Sequence, residues 1–306
     1  MFATLTFLFA ALCVSAVTEV PLWELEPFSP IELRDEGPPP PESSEGPPLP
    51  GQRIMGGREA TPFTRKYQAF LRAKNHFCGA AIISDQFVLT AAHCVARTDY
   101  TMVVIMGIHD LRRKQKFSQE IIVVGSFIHP EYGNGFTISN DIAVVKLQRR
   151  IRYHRNISPI KLPTRDIDLN TPIVVTGWGK TSATDRNQPT TLREIVFRTI
   201  SYHECKNHYK WMGNDMFCAR AKETSALCKG DTGGPAMHDG YLVGIVPVIT
   251  NDCNSVKKPQ GFTKVYHHVN WIKRAMLDNY TIPNGCNILD LSLVLIVLAQ
   301  LFVYWI

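Results

Sequence analysis

The chain has 306 residues, 45% of them hydrophobic and 20% charged, with a formal net charge of +6. That balance excludes a disordered polyampholyte and a collagen-like rod, and the length suits one large or two small domains. The charge is uneven: residues 1–16 carry none, residues 17–53 carry a net −6, and residues 54–286 carry a net +13.

The first stretch, "MFATLTFLFAALCVSAV", has a short apolar core followed by the small residues Ser15 and Ala16. It reads as a secretory signal over 1–16, too short to span a bilayer comfortably. Export implies an oxidising compartment, so cysteines should pair. Residues 17–53 contain ten prolines, including Pro38 to Pro41, and eight acids. Such a segment buries too little surface to fold, and we read it as an extended, acidic, Pro-rich propeptide. Composition changes at "GQRIMGG", where a domain over 54–286 begins.

That domain shows short β-branched and aromatic runs broken by turn residues: "AAIISDQFVLT", "TMVVIMGI", "EIIVVGSFI", "DIAVVKL", "PIVVTGWG" and "YLVGIVPVI". The pattern predicts an all-β barrel or sandwich. Only "VYHHVNWIKRAMLDNY" has helical spacing, with Val265, Val269, Ile272 and Met276 on one face. Asn156 and Asn279 lie in glycosylation sequons. From Ile288 to Ile306 the chain is apolar except for Asp290, Ser292 and Gln300. With the small residues Asn284, Gly285 and Cys286 before it, residues 287–306 read as the tail signal of a lipid anchor. A retained membrane-spanning helix is the alternative. Either places the protein on the extracellular face of the plasma membrane.

Three stretches carry chemistry together. "LTAAHC" supplies His93, "SNDIAVVKL" supplies Asp141, and "CKGDTGGP" supplies Thr232. In the order His, Asp, hydroxyl, and with "GWG" at 177–179, "HFCGAA" at 76–81 and "FTKV" at 262–265, the chain closely resembles the trypsin/chymotrypsin family from Arg53 to about Leu277. The resemblance implies two antiparallel β-barrels, a cleft between them and a C-terminal α-helix. In that mechanism His93 is the base, Asp141 orients it, and the backbone N–H groups of Gly230 and Thr232 form the oxyanion hole.

The same resemblance pairs Cys78 with Cys94, Cys205 with Cys218, and Cys228 with Cys253, each bridge contributing about 3 kcal/mol. Cys13 leaves with the signal and Cys286 is left over. Lys161 stands where many members have a cysteine, and Ile173 and His238 occupy the positions of another family bridge. Cleavage after Arg53 would free Ile54, whose ammonium would pair with Asp231. No cofactor or metal is expected: the loop that binds calcium in some members of the family is occupied here by the basic run "LRRKQK" (111–116), which argues against the ion.

The departures lie at the chemistry. Thr232 stands where the family has its nucleophilic Ser, and its extra methyl limits the rotamer beside the base. The pocket strand reads Pro247, Val248, Ile249, with Ile249 and Gln260 at two glycine positions and Ala226 where trypsin-like members carry the Asp that binds Arg or Lys. Three readings follow: a protease fold with impaired or lost catalysis that binds proteins, a weak endopeptidase using Thr232 and preferring small apolar residues, or a surface adhesion protein. A protein or peptide is the expected partner in the cleft. The basic runs "LRRKQK" (111–116) and "QRRIRYHR" (148–155) are either a solvated face or a site for a polyanion or acidic partner. Nucleic acid is not expected for an exported chain.

Overall fold

The computed structural model describes residues 57–74, 76–96, 100–113, 115–133, 139–180, 189–210, 212–221, 226–247 and 258–278. The signal, propeptide and tail readings, with Arg53, Ile54, Val248, Ile249, Cys253, Asn279 and Cys286, lie outside these residues.

Thirteen strands occur among the described residues. The first barrel is closed by β2 (Gln68–Ala73), β3 (His76–Ile82), β4 (Phe87–Thr90), β5 (Val103–Met106), β6 (Gln119–Ile128) and β7 (Ala143–Leu147), in the order β2-β3-β4-β7-β6-β5. The second is built from β8 (Pro172–Gly177), β9 (Arg193–Thr199), β10 (Met216–Ala221), β11 (Pro235–His238), β12 (Tyr241–Ile245) and β13 (Gln260–Lys264). Its order is β9-β10-β13-β12-β11-β8, and the β8–β9 pairing closes it. All pairings between named strands are antiparallel. Full closure satisfies the backbone of every barrel strand and leaves no long edge. A short strand β1 (Arg58–Glu59) precedes the first barrel and pairs with β9 of the second.

The six apolar runs quoted above all contain strands. The sequence reading missed β1, β2, β9, β10, β11 and β13. In β9, "REIVFRT", charged residues at Arg193, Glu194 and Arg198 dilute the alternation, yet Ile195 and Phe197 pack with the core. Each barrel has its own apolar core. Leu71, Val88, Val104, Ile121 and Val145 are among the residues filling the first, and Ile173, Val175, Phe197, Phe217 and Phe262 fill much of the second. In β6 a bulge between Val123 and Gly125 turns Val124 outward.

Among the described residues, two α-helices accompany the barrels. Helix α1 (Tyr202–His208) was not anticipated, although Ser201 caps it by accepting from Glu204 N at 3.1 Å. The Ser-x-x-Glu spacing was the available signal. Helix α2 (Val265–Leu277) is the expected C-terminal helix, but its buried residues are Val265, His268 and Ile272. Val269 and Met276, placed on the buried face from the sequence, are half-buried. His268 shares that buried face because it lies three residues after Val265 and four before Ile272, and its ring meets that of His129, which directly follows β6.

Two expected disulfides are present, Cys78–Cys94 and Cys205–Cys218. Cys228 is also disulfide-bonded. Ile173 is fully buried, and the His238 ring donates from Nδ1 to Pro172 O at 2.8 Å. The two positions remain neighbours, filled by packing and a hydrogen bond.

Candidate active site

His93 sits in a 3₁₀ turn (Ala92–Cys94) that directly follows β4, and Asp141 lies just before β7. Strands β4 and β7 pair, with Thr90 opposite Ala143, so the two side chains meet at one end of the first barrel. Asp141 is fully buried. Its Oδ2 accepts from His93 Nδ1 at 2.8 Å and its Oδ1 accepts from the His93 backbone N–H at 2.9 Å. A carboxylate can only accept, so Nδ1 carries the proton and Nε2 presents a lone pair. That is the tautomer a general base needs. Thr263 Oγ1 ties the second barrel to this point by donating to Asp141 O at 3.2 Å.

Thr232 arrives from the second barrel, in the turn before β11. Gly79 N donates to Thr232 O at 2.8 Å, a backbone bond from β3 of the first barrel to the residue that the resemblance places at the nucleophile position. A Cβ on Gly79 would lie 2.6 Å from Gly234 Cα, so only glycine permits this approach. The Thr232 hydroxyl lies 3.6 Å from Cys78 Sγ. That sulfur belongs to the Cys78–Cys94 disulfide and has no proton, so the hydroxyl is the donor. No hydrogen bond joins it to His93. His93 Nε2 lies 3.6 Å from the other sulfur of the same bridge, Cys94 Sγ. Base and hydroxyl therefore flank one disulfide, each leaning on a different sulfur.

The turn Cys228–Gly233 shapes the rest. Gly230 has φ +105°, and a Cβ there would meet the Phe77 ring at 2.8 Å. Asp231 N donates to Cys228 O at 3.0 Å. The N–H groups of Gly230 and Thr232 have no hydrogen-bond partner among the described residues, as an oxyanion site requires.

Asp231 itself turns inward. Gly179 N donates to its Oδ1 at 2.8 Å and Cys228 N to its Oδ2 at 3.0 Å. The carboxylate lies so close to Gly177 and Gly179 that neither could carry a Cβ, which explains the two glycines of "GWG". Trp178 between them packs edge-on against Phe70 and donates from Nε1 to His109 O at 3.2 Å. Burial pushes the Asp231 carboxyl up to about 6, against the lowering effect of the Cys228 and Gly179 N–H groups. A cavity of about 30 Å³ adjoins it, lined in part by Gly57, Gly179, Arg193, Ala226 and Leu227. That volume holds one water-sized group.

The sequence-derived pocket residues are only partly visible. Ala226 is buried and lines the Asp231 cavity, Pro247 is buried, and Gln260 is half-buried at the start of β13, opposite Ala219. Asn156, the described sequon, is half-buried beside His154.

Sequence reasoning missed two features. His76 lies 3.6 Å from Cys78 Sγ, and burial, then the nearby His93 and Lys229, hold its imidazole below the usual histidine range. His76, Cys78 and Cys94 bring metal-ligand atoms together, but both sulfurs are in the disulfide, which leaves one imidazole and no site. The second feature is Glu194, 4% exposed, whose Oε1 accepts from Arg58 at 2.7 Å and Oε2 from Arg65 at 2.6 Å. The pair clamps β1 to β9, and Arg193 Nη2 adds a bond to Gly57 O at 2.7 Å.

Comparison with known proteins agrees with this geometry. The trypsin family model matches residues 54–272. Mouse kallikrein-8 is 32% identical over 233 residues, covering 75% of this chain and 88% of that protein. Mouse granzyme F is 35% identical over 234 residues, covering 74% and 92%. The solved structure of neuropsin, a serine protease expressed in the limbic system of mouse brain, superposes with a TM-score of 0.67 at 31% identity, covering 72% of this chain and 98% of that one. Two closed six-stranded barrels, a His–Asp pair at their junction and these similarities together make the chain a member of the trypsin family of serine proteases.

Proposed function

We propose that this chain is a trypsin-family protein with impaired catalysis, whose main action in the cleft is to hold a protein or peptide rather than to cut it rapidly. The observation that carries this reading is the Thr232 hydroxyl, which donates to Cys78 Sγ at 3.6 Å and makes no hydrogen bond to His93. A nucleophile must pass its proton to the base as it attacks. Swinging the Thr232 oxygen toward His93 Nε2 also swings its methyl within a buried site, because a β-branched side chain rotates as a unit. Overpacking by a methyl costs about 1–3 kcal/mol, and at the transition state that is roughly 5- to 150-fold in rate.

The remaining machinery supports a second reading, a slow endopeptidase. His93 has its orienting carboxylate at 2.8 Å. The N–H groups of Gly230 and Thr232 have no hydrogen-bond partner among the described residues, which leaves them free to receive an oxyanion. Asp231 with its small cavity supports activation by a new Ile54 terminus after cleavage at Arg53, because one ammonium group would fill the space and neutralise the buried carboxylate. In this reading His93 takes the Thr232 proton as Oγ1 attacks the peptide carbonyl. The Gly230 and Thr232 N–H groups stabilise the alkoxide, and His93 then protonates the leaving amine. The altered positions Ala226, Ile249 and Gln260 favour small apolar side chains before the cut.

Reaction of the Arg53-cleaved protein with an active-site-directed fluorophosphonate separates the two. Labelling roughly 5- to 150-fold slower than for a Thr232→Ser variant agrees with impaired catalysis. Equal labelling of the two proteins, abolished by His93→Ala, would show that Thr232 is a fully working nucleophile.

A further inference from the structure

The two basic runs of the sequence meet in space. Gln119 binds Arg152 twice: its Nε2 donates to Arg152 O at 2.6 Å, and its Oε1 accepts from Arg152 N at 3.0 Å. His154 Nε2 donates to Phe117 O at 2.8 Å, and the two rings lie 5.4 Å apart. Arg149 Nη2 donates to Glu120 O at 3.2 Å. The segment entering β6 and the segment leaving β7 therefore form one fixed surface on the first barrel.

The cations on this surface divide into two sets. Arg112 and Arg113 lie 3.5 and 3.7 Å from Asp110, Arg150 lies 3.1 Å from Asp85, and Arg72 lies 2.6 Å from Glu120. Lys116, Arg149, Arg152 and Arg155 are exposed and form no ion pair among the described residues. Two of them are held over one aromatic ring: the Arg155 guanidinium is 5.1 Å and Lys116 Nζ 5.7 Å from the Phe117 centroid.

We propose that this face is a docking surface for a sulfated polysaccharide. Four unpaired cations on one rigid surface concentrate positive potential. Three are arginines, whose planar forks match the oxygens of a sulfate group. Holding Arg155 and Lys116 on Phe117 reduces the side-chain entropy lost on binding. Two observations separate this partner from other polyanions. The Phe117 ring is already covered by its own cations and His154, so it is no platform for unstacked bases. The face is built from the segments that enter β6 and leave β7, and both strands are paired on each side within a closed barrel, so neither offers the free strand edge that an acidic peptide would extend. The surface is independent of the cleft, so this proposal stands or falls apart from the catalytic reading.

The test is titration of the intact protein with a heparin dodecasaccharide across about 0.05–0.3 M NaCl. The expected result is salt-sensitive binding that weakens at least tenfold at 0.15 M when Lys116, Arg149, Arg152 and Arg155 are changed to Ser. The slope of log affinity against log salt should fall by about three to four, one for each lost cation. A control with Arg198, Lys210, Lys273 and Arg274 changed to Ser removes the same charge elsewhere and should keep the slope. The single exposed change Arg155→Ser provides a severalfold loss in a protein that keeps its melting temperature. Equal losses in the two quadruple variants, or no binding at the lowest salt, would overturn the proposal. Displacement of heparin by charge-matched poly-glutamate or single-stranded DNA at equal concentration would overturn it too, in favour of an acidic peptide or a nucleic acid.

Discussion

Thr232 Oγ1 and His93 Nε2 flank the Cys78–Cys94 disulfide from two sides, each 3.6 Å from one of its sulfurs. The hydroxyl spends its hydrogen bond on a disulfide sulfur and not on the base. Changing Thr232 to Ser removes the methyl and frees the oxygen to turn toward the base. In the Arg53-cleaved protein we expect Thr232→Ser to raise cleavage of peptides with Ala before the cut by roughly 5- to 150-fold. Substrates with Arg or Phe at that position should remain poor, because Gln260 and Ile249 are unchanged. Adding Gly at 249 and 260 should then gain more than the Ser change alone. Steady-state kinetics on a small peptide panel decides this, and a broad full rescue by Ser alone would place the defect in the methyl only.

Asp231 predicts a distinctive pH dependence for the uncut chain. Its folded carboxyl is raised to about 6 from 3.8, so the native state holds a proton that the unfolded state releases. Stability from this group is therefore greatest below about pH 4 and is lost as pH rises toward 6. Two units correspond to about 3 kcal/mol. Asp231→Asn should flatten that slope in urea melts between pH 4 and 7. Cleavage after Arg53 should raise the melting temperature at pH 7, as the new ammonium neutralises the carboxylate. A cut chain no more stable than the uncut one would argue that Ile54 stays outside the cavity.

His268 has the opposite sign. It is 1% exposed, its Nε2 lacks a hydrogen-bond partner, and its ring meets those of His129 at 4.9 Å and His267 at 5.0 Å. Burial, then His129 and His267, push its imidazole down to about 3 from 6.5. The charges of Glu131 and Asp215 oppose the burial of His129, and Trp271 packs on its ring. Because the unfolded chain takes up this proton first, stability is full above about pH 6.5 and falls as pH drops toward 3. At pH 5 the loss is about 2 kcal/mol. His268→Phe should keep the packing and remove that acid-sensitive part. Identical pH–stability curves for the two proteins would rule His268 out as its source.

Glu194 is buried between Arg65 and the exposed Arg58. Burial alone would raise its carboxyl, but hydrogen bonds and charge from the two arginines overcome it and hold the group below its usual 4.5. Glu194→Gln should destabilise the fold at pH 7 by about 1–3 kcal/mol. The difference should shrink as pH falls through the carboxylate range, where the wild-type contribution is itself lost. Thermal melts of both proteins at pH 7 and pH 3.5 measure it, and an equal gap at the two pH values would mean that packing, not charge, holds β1.

The sequence alone determined the family resemblance and, only through it, the two-barrel fold, the His93–Asp141 pair and two of the bridges. Each depends on local words of residues whose spacing survives without knowledge of distant contacts: "LTAAHC", "SNDIAVVKL" and "CKGDTGGP". Strands made of short β-branched and apolar runs bounded by turn residues were legible for the same reason. Strands such as β9 were not, because their charged residues find partners far along the chain, as Glu194 does with Arg58 and Arg65. Only the tertiary structure decided the finer chemistry. It set the Thr232 proton on a disulfide sulfur, wrapped Gly177 and Gly179 around Asp231, turned His268 inward, and merged two basic runs into one face through Gln119 and Phe117. These are side-chain contacts across long sequence separations. Their directions follow from packing of the closed barrels, and no local pattern encodes them.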